Sequence, residues 1–355
     1  MTYPLLTVDL KKLAHNVKFL CDLCEKNGVS AAFVTKCVRA DVRIAALIEE
    51  SGAAMLADSR VKNLDALTTK KPKLLLRMAG PSEAEGVVRA ADYSLQSEIA
   101  AIRALGAAAK AQKKRHNVIL MADMGDLREG VFFTDEALLL ETARAVKEEP
   151  WLSLSGVGTN LTCYGSIVPD ESNMRGLVRL ADMLRSELNE EIPFVSGGNS
   201  SALSMLVGGK LPKGVNHLRL GESYLLGNDT SRGTVVEGLY GDAFVLHAEL
   251  SELQKKPSVP VGTRFKNAFG EVTEYPERGE MLRGILNVGR QDAPAEGLTP
   301  LDKGVEILGS SSDHMIVNLT AAKHPYKVGD ALRFLPDYGA LLRLFTSPYV
   351  EKSYL

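Results

Sequence analysis

Several short segments of the chain carry residues able to do chemistry. Lys36 follows a short apolar run in Phe33-Val34-Thr35-Lys36-Cys37-Val38. A lysine amine condenses with aldehydes, and desolvation at the end of a strand lowers its pKa and frees the neutral amine. Taken alone, Lys36 is equally a surface lysine at the start of a loop. Ser196-Gly197-Gly198-Asn199-Ser200-Ser201 precedes an apolar helical stretch. Its glycines let backbone N–H groups converge, its hydroxyls add donors, and the helix N-terminus favours an anion, so the segment can cradle a phosphate. Glycine-rich turns with a capping serine are also common without any ligand. Asn216-His217-Leu218-Arg219-Leu220-Gly221-Glu222 sets an arginine at a strand end beside a second glycine turn able to serve the same anion. Arg219, with a pKa above about 12, donates hydrogen bonds without giving its proton to a weak base. Arg128, in Asp123-Met124-Gly125-Asp126-Leu127-Arg128-Glu129-Gly130, could clamp a carboxylate in bidentate fashion, or be spent in a local ion pair with Asp123, Asp126 or Glu129.

These residues act together only if one scaffold gathers them. Short apolar runs at 31–35, 53–57, 73–78, 93–95, 117–122, 152–158, 194–196 and 218–220 alternate with helical stretches such as 13–26, 97–115 and 134–147. That alternation predicts repeated βα units, and the number of runs predicts an α/β fold of the closed (β/α)8 TIM type. An open dinucleotide-binding sheet would need G-x-G-x-x-G after its first strand, but Gly156-Val157-Gly158-Thr159-Asn160-Leu161 lacks the third glycine. Gly208-Gly209-Lys210 is followed by Leu211 and is not a P-loop. In such barrels the chemistry sits at the carboxyl ends of the strands, which is where Lys36, Arg128, Ser200 and Arg219 fall. After Gly233 the texture changes to runs at 243–250, 284–288, 315–319 and 331–335 between Gly, Pro and charged turns, which predicts a β-rich domain. The expected division is a barrel over 11–233 and a smaller domain of 1–10 with 234–355.

Composition narrows the classes of function. The 355 residues are 45% hydrophobic and 24% charged with net charge −2, which gives no electrostatic case for nucleic acid or a membrane surface. Four cysteines in so long a chain are not a disulfide framework and point to a reducing cytoplasm. Cys21 and Cys24 share the spacing of Val17 and Leu20, so they read as a buried helix face rather than half of a zinc site. The N-terminus lacks the basic and apolar regions of a signal peptide, and no apolar run reaches the roughly 18 residues of a membrane span.

In chain order these segments resemble alanine racemase and its relatives, the fold-type III pyridoxal-phosphate enzymes, over nearly the whole sequence. Thr7-Val8-Asp9-Leu10 with Leu13 and His15-Asn16 resembles the opening segment, and Val34-Thr35-Lys36 the cofactor-lysine strand. Met124-Gly125 through Arg128 and Gly130 resembles the arginine motif, Asn199-Ser200-Ser201-Ala202 the phosphate serine, and Leu218-Arg219-Leu220-Gly221 the stretch whose arginine contacts the pyridine nitrogen. Ala57-Asp58-Ser59-Arg60, Asn287-Val288-Gly289-Arg290-Gln291-Asp292, Ser310-Ser311-Ser312-Asp313-His314 and Asp337-Tyr338-Gly339 resemble the branch that isomerises basic amino acids such as ornithine and lysine.

The resemblance implies a racemase dependent on pyridoxal 5'-phosphate that removes and returns the Cα proton of an amino acid. Lys36 would carry the cofactor and act as acid/base, with Arg128 as its catalytic partner. Ser200, Ser201, Gly221, Glu222 and Tyr349 would hold the phosphate, Tyr338 being the second choice for the last. Arg219 would meet the ring nitrogen, and Asn160, Asp292 and Asp313 the substrate. A homodimer with shared active sites is implied, and no metal. The chain departs from the family at Met121, where many members carry a carbamylated lysine, and at Arg290, where they have tyrosine. In Asn267-Ala268-Phe269-Gly270, Phe269 takes the place of the tyrosine that is the second base. That base is left open among Asp292, Asp313, His314, Cys163 and Tyr164. Two other readings are a lyase or dehydratase of the same fold, and a non-catalytic pyridoxal-phosphate carrier. The dehydratases' second metal ligand would follow Val328-Gly329-Asp330, where Leu335-Pro336-Asp337-Tyr338 offers no His or Cys. The carriers resemble the barrel alone.

Overall fold

In a computed structural model of the protein, which describes residues 2–355, eight parallel strands close on themselves. They are Ser30–Val34, Met55–Asp58, Lys73–Leu75, Tyr93–Gln96, His116–Asp123, Leu152–Gly158, Phe194–Ser196 and His217–Leu220. The eighth pairs back onto the first with Arg219 opposite Ala32 and Leu220 opposite Phe33, which completes the ring. Both faces of each strand are covered, so the strands read as near-continuous apolar runs. One set of alternate residues, including Ala32, Val34, Met55, Ala57, Leu74, Leu95, Ile119 and Met121, packs together as the barrel interior. Their neighbours Phe33, Leu56, Val118 and Leu120, equally buried, face the helices.

The helices meet the barrel through stripes at helical spacing. Leu10–Lys26 buries Leu13, Val17, Leu20, Cys21 and Cys24. The two cysteines thus belong to an apolar seam, and burial pushes both thiols up, Cys24 to about 12. Glu171–Leu188 starts at a capping box between Asp170 and Asn173. Strand ends differ from the sequence expectation in places. The third strand stops at Leu75 rather than 78, because only Leu76 still donates across, to Asp58 O at 2.9 Å, while Arg77 leaves to pair with Glu83.

The contacts divide the chain into two units, Leu10–Gly241 and the residues through Asp9 together with Asp242–Leu355. Residues 234–241, assigned by their texture to the second domain, bond within the barrel unit: Val236 N donates to Gly227 O at 2.8 Å and Tyr240 N to Asn16 Oδ1 at 2.8 Å. The second unit is built on the long strand Phe244–Pro257, antiparallel to Leu5–Val8, Ala331–Pro336 and Glu280–Leu286. Phe244, Leu246, Ala248 and Leu250 alternate inward along it. Met315–Asn318 and Glu306–Ser310 extend the sheet, and helix Tyr338–Thr346 is capped by Asp337, which accepts from Ala340 N at 2.7 Å. Among the described residues no helix is long and apolar enough to cross a membrane.

Two buried histidines tie the barrel's stability to pH. His116 Nε2 lies 2.8 Å from Ser94 Oγ, and His217 Nδ1 lies 2.8 Å from Ser196 Oγ. Burial holds His116 down at about 4 and, with the charge of Arg219, His217 at about 3. Both are neutral in the fold and regain an ordinary pKa near 6.5 on unfolding. Their contribution is therefore complete above about pH 6.5 and is lost as pH falls toward 4, at up to about 1.4 kcal/mol per pH unit for each histidine. Urea unfolding between pH 7 and 5 is expected to show falling stability with uptake of close to two protons, and His116→Gln to remove about one. A flat profile, or an unchanged slope in the variant, would contradict this.

Candidate active site at the carboxyl ends of the strands

The first strand ends in a tight turn. Thr35 N still donates to Ala57 O at 2.8 Å, after which Lys36–Val38 forms a single 3-10 turn. Tyr224, fully buried, donates its hydroxyl to Val34 O at 3.1 Å and meets Phe33 edge-on with ring centres 5.4 Å apart. A residue just past the eighth strand thus fixes the strand that ends in Lys36.

Arg219 shares the inward face of the eighth strand with His217 and is 3% exposed. Its guanidinium donates to Thr159 O at 2.6 Å and to Ser196 Oγ, both neutral oxygens. The five N–H groups of a guanidinium exceed these two acceptors. Burial lowers its pKa from above 12 to about 10, an effect opposed by the nearby Glu129 and Cys163 and reinforced by Arg128. It therefore keeps its charge at neutral pH, though by a smaller margin than the sequence alone predicts.

The turns after the seventh and eighth strands form a cup. Ser200 Oγ accepts from Gly221 N at 3.1 Å and Ser223 N at 3.2 Å, and lies 3.1 Å from Ser223 Oγ. A hydroxyl oxygen there takes the two N–H groups that an oxyanion would take. Asn199 locks the turn, accepting from Ser201 N at 2.8 Å and donating to Leu161 O at 3.0 Å, and Gly198 adopts φ 104°, open to glycine. Ser201 Oγ and Thr159 Oγ1 are fully buried with no protein partner. The Glu222 carboxylate turns to the next loop, accepting from Asn228 Nδ2 at 2.9 Å and Thr230 Oγ1 at 3.1 Å.

At the fifth strand end Arg128 is paired with Glu129, the local ion pair among the alternatives read from sequence. The other two carboxylates fasten loops: Asp123 accepts from Gly125 N and Leu127 N, and Asp126 from Cys163 N, Tyr164 N and Ile167 N. The Asn160 carboxamide sits among Arg128, Glu129 and Asn199. Lys36, Arg128, Asn160, Ser200, Ser201, Arg219, Gly221 and Glu222 thus all stand on strand ends or the turns after them. Ser196, Thr159 and Tyr224 support them; sequence reasoning gave Thr159 and Tyr224 no role and counted Ser196 among the donors of the anion turn, whereas it accepts from Arg219.

The other expected residues belong to the second unit. Tyr349 is 66% exposed, Asp292 is buried and accepts from Ser347 Oγ at 2.7 Å, and Asp313 accepts from Gln291 Nε2 at 2.8 Å. Arg290 is held by Glu271 through bonds of 3.0 and 2.9 Å and stacks over Phe269 at 4.0 Å.

A closed barrel whose strand ends gather a lysine, a buried arginine and a turn lined by hydroxyls and backbone N–H groups has its polar side chains where barrels of this type place their chemistry. Residues 8–228 match the family model of the alanine racemase N-terminal domain, and the chain belongs to that family. It is 43% identical to ornithine racemase of Acetoanaerobium sticklandii over 99% of this chain and 100% of that protein. It is 36% identical to lysine racemase of Thermotoga maritima over 100% of this chain and 99% of the relative. Among solved structures, alanine racemase of Clostridium difficile superposes with a TM-score of 0.74 at 17% identity, covering 100% of this chain and 96% of the other. D-threo-3-hydroxyaspartate dehydratase from Delftia sp. HT23 gives 0.75 at 19% identity, covering 99% and 95%. At these identities the two structures speak to the fold alone.

A guanidinium as buried as that of Arg219, resting on neutral oxygens, opposes folding. Arg219→Met is expected to raise the thermal midpoint of the ligand-free protein by a few degrees, on the order of 1 kcal/mol. A fall as large as that from truncating a core leucine, about 3 kcal/mol, would contradict this.

Proposed function

We propose that the chain is a racemase of basic amino acids, ornithine or lysine, that works with pyridoxal 5'-phosphate. The observation that carries this reading is the 43% identity to ornithine racemase across essentially both whole chains. The residues fit the cofactor. Gly221 N, Ser223 N and the Ser200 and Ser201 hydroxyls suit its phosphate, and a buried hydroxyl without a protein partner, such as Ser201 Oγ, is the kind of atom a ligand satisfies. The resemblance to the family would add Glu222 and Tyr349 as further phosphate ligands.

When bound, the cofactor supplies an electron sink that weakens the Cα–H bond of the amino acid joined to it. Lys36 would hold the aldehyde through its amine and, once displaced by the substrate's amine, move the Cα proton on one face. Arg219, with a pKa near 10, would donate a hydrogen bond to the ring nitrogen and keep its own proton. Such a contact from Arg219 would disfavour protonation of the ring nitrogen and so would favour return of the proton to Cα. Arg128 stands at the strand end across the barrel from Lys36 and, with Asn160, is the candidate partner of the substrate carboxylate. Asp313, which is exposed, and Asp292, which is buried, are the candidate partners of a substrate's side-chain ammonium in this reading.

A homodimer with shared sites belongs to the same reading, and the exposed Val261, Phe265 and Val272 of the second unit are apolar surface it would cover. So does a reducing cytoplasm, which suits a chain with four free thiols. The test is incubation of L-ornithine and of L-lysine with protein and cofactor, followed by chiral chromatography. At least one is expected to become a mixture of enantiomers, and Lys36→Ala to slow this by at least about 100-fold. Wild-type protein that binds cofactor and leaves both substrates enantiomerically pure would overturn the proposal.

A further inference from the structure

The turn after Lys36 is strained. Arg39 and Ala40 both lie in the left-handed region, at φ 52° and 54°, and among the described residues no other two consecutive non-glycine residues do so. Lys113 and Asn189, which share that conformation, are single residues closing helices. Each such residue costs roughly 1 kcal/mol, and the conformation persists only where its surroundings over-determine it.

Thr35 supplies that constraint with every polar group it has. Its N–H donates to Ala57 O at 2.8 Å, and its carbonyl accepts from Val38 N and Ala40 N, both at 3.1 Å. Its hydroxyl donates to Asp58 Oδ2 at 2.8 Å. Asp58 ends the second strand, is fully buried, and accepts from Arg60 N at 2.9 Å and Asn63 Nδ2 at 3.0 Å through its other oxygen. Burial pushes its carboxyl up, while the donors from Thr35, Arg60 and Asn63 pull it back. A buried carboxyl held by neutral donors alone is a costly way to cap the six-residue helix Val61–Ala66. It also grips the residue next to Lys36. The chemistry of the site otherwise gives the segment Ala57-Asp58-Ser59-Arg60 no task.

We infer that Thr35 and Asp58 form a clamp that positions Lys36, Asp58 acting through Thr35 to hold the strained turn from which the lysine side chain departs. The inference rests on the proposed role of Lys36 as the cofactor-bearing residue. The clamp's hydrogen bond joins the first two strands and none of the cup's bonds to Ser200 involves Thr35 or Asp58, so loosening the clamp is expected to disturb the amine more than the phosphate end.

The test compares Thr35→Val, which removes the hydroxyl at nearly constant volume, with Thr35→Ser, which keeps it. Attachment of pyridoxal phosphate to the protein is followed by absorbance, and binding of inorganic phosphate to the ligand-free protein by calorimetry. Thr35→Val is expected to slow attachment about tenfold, the loss of one buried hydrogen bond, with phosphate affinity unchanged. Racemisation is expected to lose kcat by a similar factor with little change in KM. Thr35→Ser is expected to stay within about twofold of wild type on each measure. Wild-type rates in Thr35→Val, equal losses in the two variants, or a parallel loss of phosphate affinity would each overturn the clamp. Failure of the wild type to attach cofactor at all would overturn the proposed function, and the clamp with it.

Discussion

The pairing of the eighth barrel strand with the first is the constraint on which the site depends. It joins residues nearly two hundred positions apart in sequence and sets Arg219 opposite Ala32 and Leu220 opposite Phe33. From that register follow the Tyr224 bond to Val34 O and the close approach of Gly221, where a Cβ would come within 3.3 Å of the Val34 Cβ. A slip of one residue would turn Arg219 out toward the helices and Leu220 into the barrel. The lysine turn and the anion cup adjoin because this pairing has one register.

Within that frame three cationic side chains come to the carboxyl ends of the strands. Lys36, Arg128 and Arg219 stand at strand ends, and Glu129 is committed to Arg128. Below Arg219 on the same face, His217 stays neutral, because burial and the guanidinium both oppose a second positive charge. Ser196 links the two, accepting from Arg219 and lying 2.8 Å from His217 Nδ1, which a neutral ring can offer as an acceptor. The buried cation is thus set in a polar but uncharged bed, where its remaining hydrogen-bonding capacity is directed by geometry.

The barrel was legible because burial on both faces writes itself as apolar runs, and the runs at 152–158 and 194–196 coincide with their strands. Lys36, Ser200 and Arg219 stood out because their side-chain types are unusual at strand ends. Their supports did not stand out, for identifiable reasons. The acceptor for Arg219 is in part the carbonyl of Thr159, which has no side-chain signature. Thr35 and Asp58 meet across neighbouring strands, so their partnership depends on register and not on spacing. Around Arg128, three nearby carboxylates look alike in sequence, and only the loop conformation separates the two that fasten backbone from Glu129. The segment 234–241 has the texture of the β-rich unit, yet its bonds to Gly227 and Asn16 keep it with the barrel.

The central claim is that barrel closure brings the turn that carries Lys36 beside the anion cup. It is tested most directly by incubating the protein with pyridoxal phosphate, reducing with borohydride, and mapping the modified peptides by mass spectrometry. The account predicts one stoichiometric pyridoxyl group, on Lys36, whose formation is suppressed when Ser200 is replaced by a bulky acidic residue. Label spread over surface lysines, or concentrated on another lysine while Lys36 stays unmodified, would contradict it.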